Sequence, residues 1–318
     1  MRPKTASINT ERGNAPRSFA IAGHVLPAAK LGAGLYLVAT PIGNLADITL
    51  RALETLAGAD VIACEDTRIS RRLTERYAIS ADLTPYHEHN AAAARPKLLQ
   101  RLAEGQAVAL VSDAGTPLIS DPGFKLVREA CAAGFAVTAL PGPSSVLAAL
   151  TVAGQPTDRF YFAGFLPPKQ AARRARLTEL SRIDATLVLF ESGSRVQETV
   201  TDLASLMGSR EAAICRELTK LHEEVLREPL AGLAGRADQL ETRGEFVLVI
   251  GPPPADAHVM SADSLDTLLR NALSQSSLKD AVAEAVALSG RPRRDVYARA
   301  LELAKDMKGD HGQDDSET

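Results

Sequence analysis

The sequence predicts an α/β fold, and three observations carry that expectation. Short apolar runs rich in β-branched and aliphatic residues alternate with amphipathic helical stretches, the pattern of a sheet covered by helices. The runs have few polar interruptions, which implies strands buried on both faces. The chain of 318 residues exceeds one hydrophobic core, so two domains of roughly 150 residues each are expected.

The elements follow in order along the chain. Residues 1–33 carry Arg2, Lys4, Arg12, Arg17 and Lys30 against Glu11, with little periodicity, and read as a flexible basic arm. Residues 34–154 form the first α/β domain, with strands at Leu35–Ala39, Val61–Cys64, Ala107–Val111 and Val137–Leu140. Helices are expected near Ile48–Ala57, Arg68–Tyr77, Ala91–Ala103, Phe124–Ala133 and Ser145–Ala153. Gln155-Pro156-Thr157-Asp158 breaks the helical pattern and marks a junction, because proline and the residue before it resist helix.

Residues 155–251 form a second α/β domain of mixed, partly antiparallel character, with strands at Phe160–Ala163, Thr186–Phe190, Ala212–Arg216, Glu224–Arg227 and Glu245–Ile250. Its helices lie near Gln170–Ser181, Arg195–Leu206 and Leu230–Leu240. Residues 252–308 hold a proline linker and a basic two-helix hairpin, with Leu278, Val282, Ala285 and Val286 on one face and Val296, Tyr297, Ala300, Leu301 and Ala304 on the next. Gly290 ends the first of these helices, and residues 309–318 make an acidic tail with Asp310, Asp314, Asp315 and Glu317.

Composition narrows the chemistry. Lys and Arg total 36 against 39 Asp and Glu, so a polyanionic partner must meet a local patch rather than a global field. The cluster Arg291, Arg293, Arg294 and Arg299 is the most basic local patch, with a solvated turn as the alternative. The three cysteines are far apart, which supports no disulfide framework or zinc site and fits a reducing cytosol, each thiol being read as a small buried hydrophobe. No metal is expected, no apolar run approaches the ~20 residues of a membrane span, and no export signal is evident, so a soluble cytoplasmic protein is expected. GxxxxGK[ST] is absent and Gly32-Ala33-Gly34 precedes its strand, which disfavours nucleotide P-loops and Rossmann dinucleotide sites.

What remains is a set of loops at strand exits: Thr40-Pro41-Ile42-Gly43-Asn44, Glu65-Asp66-Thr67-Arg68, Ser112-Asp113-Ala114-Gly115-Thr116-Pro117 and Pro141-Gly142-Pro143-Ser144-Ser145. Ligand crevices of open α/β sheets lie beyond the carboxyl ends of the strands. Glycine allows close backbone approach; Ser112, Thr116, Ser144 and Ser145 offer hydroxyls; Asp113 suits an amine. Ser112–Pro117 and Pro141–Ser145 hold no Lys or Arg, which suits a neutral or cationic adenosine ligand better than a triphosphate.

The wording of these loops is more specific than their composition. Together with Gly164-Phe165-Leu166-Pro167, Phe190-Glu191-Ser192, Arg216-Glu217-Leu218-Thr219-Lys220-Leu221-His222-Glu223-Glu224 and Gly244-Glu245-Phe246-Val247-Leu248, they closely resemble the ribosomal RNA small subunit methyltransferase I family of the tetrapyrrole methylase superfamily. The resemblance covers about Gly34 to Gly251. It implies a bilobal fold with S-adenosylmethionine between the lobes, a homodimer, and 2′-O-methylation of a cytidine in the decoding region of 16S rRNA within the small subunit. In register, Gly115-Thr116-Pro117 falls where tetrapyrrole methylases carry Gly-Asp-Pro; the threonine favours the ribosomal branch over methylation of a porphyrinoid carbon. The resemblance places Ser144 and Ser145 on the cofactor loop and brings Glu191 and Ser192 from the second lobe.

The expected cofactor set is thus Pro41, Gly43, Ser112, Asp113, Gly115, Thr116, Pro117, Ser144, Ser145, Glu191 and Ser192. A ribose hydroxyl is a poor acid, so a base or an adjacent cation is needed; Asp66, Arg68, Glu88 and Lys220 are the catalytic candidates, with His87, His89, Asn90 and Glu217 beside them. Lys169, Arg173, Arg174, Arg195, Arg291, Arg293 and Arg294 are candidate RNA contacts, the alternative being solvated helix faces. A non-enzymatic RNA-binding assembly factor that keeps the pocket is the remaining reading.

Overall fold

A computed structural model describes residues 17–208, 210–254, 262–289 and 291–309. The chain begins with strands β1 (Ser18–Ile21) and β2 (His24–Pro27), then runs through β3 (Gly34–Val38), α1 (Leu50–Gly58), β4 (Val61–Cys64), α2 (Thr67–Arg76), β5 (Asp82–Pro85) and α3 (Ala91–Ala103). Next come β6 (Ala107–Val111), α4 (Phe124–Ala132), β7 (Val137–Leu140) and α5 (Ser145–Ala153).

Strands β3 to β7 form one sheet in the order β5-β4-β6-β3-β7, parallel throughout. Strands β4 and β6 are wholly buried because both faces are covered. Ile62, Ala109 and Val38 pack beneath α1 and α2, while Val61, Val108 and Leu35 pack beneath α3 and α4. Apolar runs without alternation mean this two-sided burial, and parallel strands put every carboxyl end on one edge.

The second sheet contains β8 (Phe160–Phe165), β9 (Thr186–Ser192), β10 (Glu211–Arg216), β11 (Glu224–Pro229) and β12 (Glu245–Ile250), in the order β11-β10-β12-β9-β8. Only β8 and β9 pair in parallel, in keeping with the mixed character expected. Helices α6 (Gln170–Leu180), α7 (Val196–Met207) and α8 (Leu230–Gly235) cover one face. The helix expected over Leu230–Leu240 is split, since α8 gives way to a short 3-10 turn at Ala237–Gln239.

The other face receives α5. Its Val146, Ala149, Leu150 and Ala153 pack on Val188, Ala213, Val247 and Val249, so a helix that follows the first sheet in sequence buries its apolar side on the second. This helix joins the two halves of the molecule.

Two expectations are corrected. Part of the flexible basic arm is folded: β1 and β2 pair antiparallel around Ala22-Gly23, Phe19 is buried beside α1 and α2, and the Ala20 amide donates to the Tyr77 carbonyl at 2.7 Å. Arg17 pairs with Asp60 at 2.6 Å, so its charge is held at the start of β4. Alternating apolar residues around an Ala-Gly turn are a hairpin signal that the basic composition masked. Arg2, Lys4, Glu11 and Arg12 lie outside the described residues, as do Gly290 and the tail from Asp310.

The basic hairpin is a three-helix unit of α9 (Ala262–Leu273), α10 (Leu278–Ser289) and α11 (Arg293–Gly309). Leu265 and Leu269 of α9 close a small core with Val282, Ala285, Val296 and Ala300, because two helices alone leave their shared apolar face in water. Cys131 is exposed rather than buried, whereas burial pushes the Cys215 thiol up to about 12. Among the described residues no helix is long and apolar enough to cross a membrane, and no group of His, Cys, Asp and Glu is arranged to hold a metal.

Candidate active site

The strand-exit loops of the first sheet are stitched together by their backbones. The Thr40 and Gly115 amides each donate to the other's carbonyl at 2.9 Å, an isolated bridge between the loops after β3 and β6. Thr116 donates its hydroxyl to the Pro143 carbonyl at 3.1 Å, tying in the loop after β7. Gly115 has φ +79°, a left-handed conformation that glycine adopts without strain, and a Cβ there would press on Ile42 Cγ2 at 3.3 Å. Ser144 caps α5, its hydroxyl accepting from the Leu147 amide.

This stitched edge forms one wall of a cleft of about 340 Å³. Ala114, Gly115, Thr116, Ser120, Asp121, Ser144 and Ser145 line that wall. The opposite wall comes from the second sheet: Phe165, Phe190, Glu191 and Ser192 at the ends of β8 and β9, Leu218 after β10, and Gly244–Val247 at the start of β12. The Phe165 and Phe190 rings meet edge to face with centroids 5.5 Å apart, giving an apolar panel among hydroxyls.

Among the described residues, the cleft lining contains carboxylates and hydroxyls but no Lys, Arg or His. Glu191 is buried and engaged, accepting from the Thr199 hydroxyl at 2.7 Å, the Ser192 amide at 2.8 Å and Arg195 Nη2 at 3.0 Å. Glu245 pairs with Lys220 at 3.0 Å. Burial and the charge of Asp113 hold the Asp121 carboxyl above its ordinary value, with the nearby Ser112 hydroxyl opposing them in part.

Comparisons with known proteins agree with this architecture. A family model described as Tetrapyrrole (Corrin/Porphyrin) Methylases matches residues 34–234, and a model of the RsmI C-terminal HTH domain matches residues 259–304. The ribosomal RNA small subunit methyltransferase I of Mesorhizobium japonicum is 50% identical over 287 residues, covering 90% of this chain and 97% of that protein. Its counterpart in Escherichia coli O157:H7 is 44% identical, over 84% of this chain and 94% of that one.

The chain belongs to the ribosomal RNA small subunit methyltransferase I family.

It is a methyltransferase of the tetrapyrrole methylase fold. A solved cobalt precorrin-4 methyltransferase shares that fold at 19% identity, with a TM-score of 0.51 over 68% of this chain and 94% of the other. In this member of the family, Gly115, Thr116, Ser144, Ser145, Glu191 and Ser192 all line the cleft. Pro41, Gly43, Ser112, Asp113 and Pro117 do not. Ser112 is buried with its hydroxyl turned back on the Ala114 and Gly115 carbonyls, and Asp113 accepts from the Asp66 amide at 2.9 Å, so both shape the loop from behind. A Cβ on Gly43 would strike Lys220 Cγ at 2.3 Å; the glycine makes room for a lysine stem.

The catalytic candidates are also placed elsewhere: Asp66, Arg68, Glu88 and Lys220 are not among the residues lining the cleft. Asp66 caps α2 and accepts four hydrogen bonds from Arg68, and the Arg68 side chain and amide hold its carboxyl down to about 2, which makes it a weak base. Lys220 closes on Glu217 at 2.7 Å and on Glu245; burial opposes its charge, but these hydrogen bonds outweigh it and the pKa is raised, so the amine stays protonated.

Of the RNA candidates, Arg173 is corrected outright. It is 1% exposed, with Nε 2.8 Å from Asp202 and Nη2 3.3 Å from Glu198, inside the helical layer. Arg195 is held by Glu191 and the Leu166 carbonyl at 2.8 Å. Lys169, Arg293 and Arg294 are exposed and Arg174 is half-exposed, while Arg299 is tied to Asp266 and Glu302.

The cleft residues absent from the expected cofactor set include Asp121 and the Phe165–Phe190 panel. Asp121-Pro122-Gly123 has the composition of a turn, Phe190 ends an expected strand and Phe165 falls in the Gly164–Pro167 motif just past another; only the opposition of the two sheets turns them toward one space.

Proposed function

We propose that this enzyme transfers the methyl group of S-adenosylmethionine to the ribose 2′-hydroxyl of a cytidine in the decoding region of 16S rRNA. The observation that carries this reading is a cleft lined by hydroxyls, carboxylates and an aromatic panel, with no cation among the described lining residues, in a chain half identical to a named small-subunit rRNA methyltransferase. That donor set fits a sulfonium-bearing adenosine. Thr116, Ser144, Ser145 and Ser192 would hold its polar groups, Phe165 and Phe190 its base, and the cleft carboxylates would favour its positive charge. The cofactor supplies an activated methyl group and a neutral leaving group, and the protein positions the acceptor and manages its proton.

Thr116 in place of an acidic residue supports RNA over a porphyrinoid substrate, and the exposed Lys169, Arg174, Arg293 and Arg294 supply phosphate contacts on two elements. The protein works as a cytoplasmic homodimer on the small ribosomal subunit in this reading. Labelled methyl transfer to unmodified small subunits, naked 16S rRNA and a precorrin-type substrate, offered side by side, tests it. Label is expected in RNA, confined to the ribose of a single cytidine after digestion to nucleosides; label in the porphyrinoid alone would overturn the assignment.

A further inference from the structure

We propose that Asp121 is the proton acceptor for the attacking ribose hydroxyl; this rests on the RNA-ribose reading above. Among the described residues three carboxylates line the cleft, and two are already committed. Glu191 is buried under three donors, and Glu245 is paired with Lys220. No cation pairs with the Asp121 carboxylate among the described residues, and the Ser112 hydroxyl near it is turned to the Ala114 and Gly115 carbonyls. Its carboxylate therefore keeps lone pairs for a substrate hydroxyl.

The backbone holds Asp121 in place at some conformational cost. Leu118 at φ 74° and Ser120 at φ 66° are both left-handed without being glycine, an arrangement that persists only where the surroundings enforce it. The loop also abuts the second lobe, since a Cβ on Gly164 would sit 3.4 Å from Ser120 Oγ. Asp121 is thus presented from the first lobe at the place where the two walls meet.

Its electrostatic surroundings raise proton affinity. Behind it stand Ser112, Asp113 and Glu65; across the cleft stand Glu191, backed by Arg195, and Glu245, backed by Lys220. Burial and the neighbouring negative charge favour the neutral acid, which makes the carboxylate a better base than an exposed one.

In the step, the 2′-hydroxyl proton passes to an Asp121 oxygen while the hydroxyl oxygen's lone pair forms the bond to the methyl carbon. The carbon–sulfur bonding pair stays on sulfur, leaving a neutral thioether, and the Asp121 acid then releases its proton to water.

Asp121→Asn, Asp121→Glu and wild type are compared on RNA that the wild type labels. Asp121→Asn is expected to lower the single-turnover rate about 10²–10⁴-fold, with S-adenosylmethionine affinity by calorimetry within a few fold of wild type. The wild-type rate should rise with the ionisation of one acid and then level; the Asn variant should climb with hydroxide throughout, and Glu should restore part of the rate and the plateau. A carbon-13 carboxyl resonance lost in the Asn variant should titrate above the ordinary aspartate value of 3.8. Wild-type rate or an unchanged pH profile in the Asn variant overturns the assignment, as does a carboxyl titrating below that value. Loss of cofactor affinity with an unchanged profile shape overturns it in favour of a holding role. Wild type that labels no RNA refutes the RNA reading itself, and this inference with it.

Discussion

The Arg173 guanidinium lies between α6 and α7 with Asp202 2.8 Å from its Nε, and both side chains are almost wholly removed from water. Removing one member of such a pair leaves the other charge buried without compensation, at a cost of about 3–5 kcal/mol. Arg173→Ala is therefore expected to lose stability of that order in denaturant titration, while the RNA affinity of the folded protein stays at the wild-type value. An equal loss of RNA affinity would return Arg173 to the binding surface. Its neighbours differ by position alone: Lys169 precedes the helix and Arg174 faces outward, so the same basic stretch divides between packing and solvent.

At the scale of elements, the β1–β2 hairpin is anchored by the buried Phe19, by the Arg17–Asp60 ion pair and by the Ala20 amide on the Tyr77 carbonyl. Phe19→Ala removes its anchor and is expected to cost about 3 kcal/mol, read most directly as rapid hydrogen exchange at the Ala20 amide. Asp60 adds a pH dependence. Burial raises its pKa, but the Ala107 amide and Arg17 together outweigh burial and lower it. A carboxyl lowered by folding contributes stability above its unfolded pKa of about 3.9, and that stability is lost as pH falls through the folded value. Acid titration of hairpin protection should follow that course and flatten in Asp60→Asn; protection indifferent to both changes would refute the role of the pair. The hairpin was legible in principle, since Phe19-Ala20-Ile21 and Val25-Leu26 flank an Ala-Gly turn. A basic, acid-poor composition argued against order because composition is blind to one well-placed phenylalanine.

At the scale of the whole molecule, the exposed Arg293 and Arg294 and the cleft belong to separate units. The C-terminal three-helix unit has its own small core and presents Arg293 and Arg294, while the cleft lies between the two sheets. Reversing both arginines to Glu is expected to weaken RNA binding and to lower the salt slope of log K by about 1 per lost phosphate contact, with cofactor affinity unchanged. Unchanged RNA affinity would remove this unit from the binding surface.

The sequence by itself determined the α/β class, most strands of both sheets and the strand-exit loops, because these depend on local periodicity and turn chemistry written in consecutive residues, and the wording of its motifs carried the resemblance to the family. Gly115, Thr116, Ser144 and Ser145 were readable for that reason. Only the tertiary structure decided which polar residues face the cleft: it turned Ser112 and Asp113 behind their loop, closed Lys220 on two glutamates, buried Arg173 and brought Asp121 opposite Phe190. Orientation and pairing across elements arise from packing two sheets about α5, and no local pattern encodes the partner a charged side chain meets when distant segments are brought together.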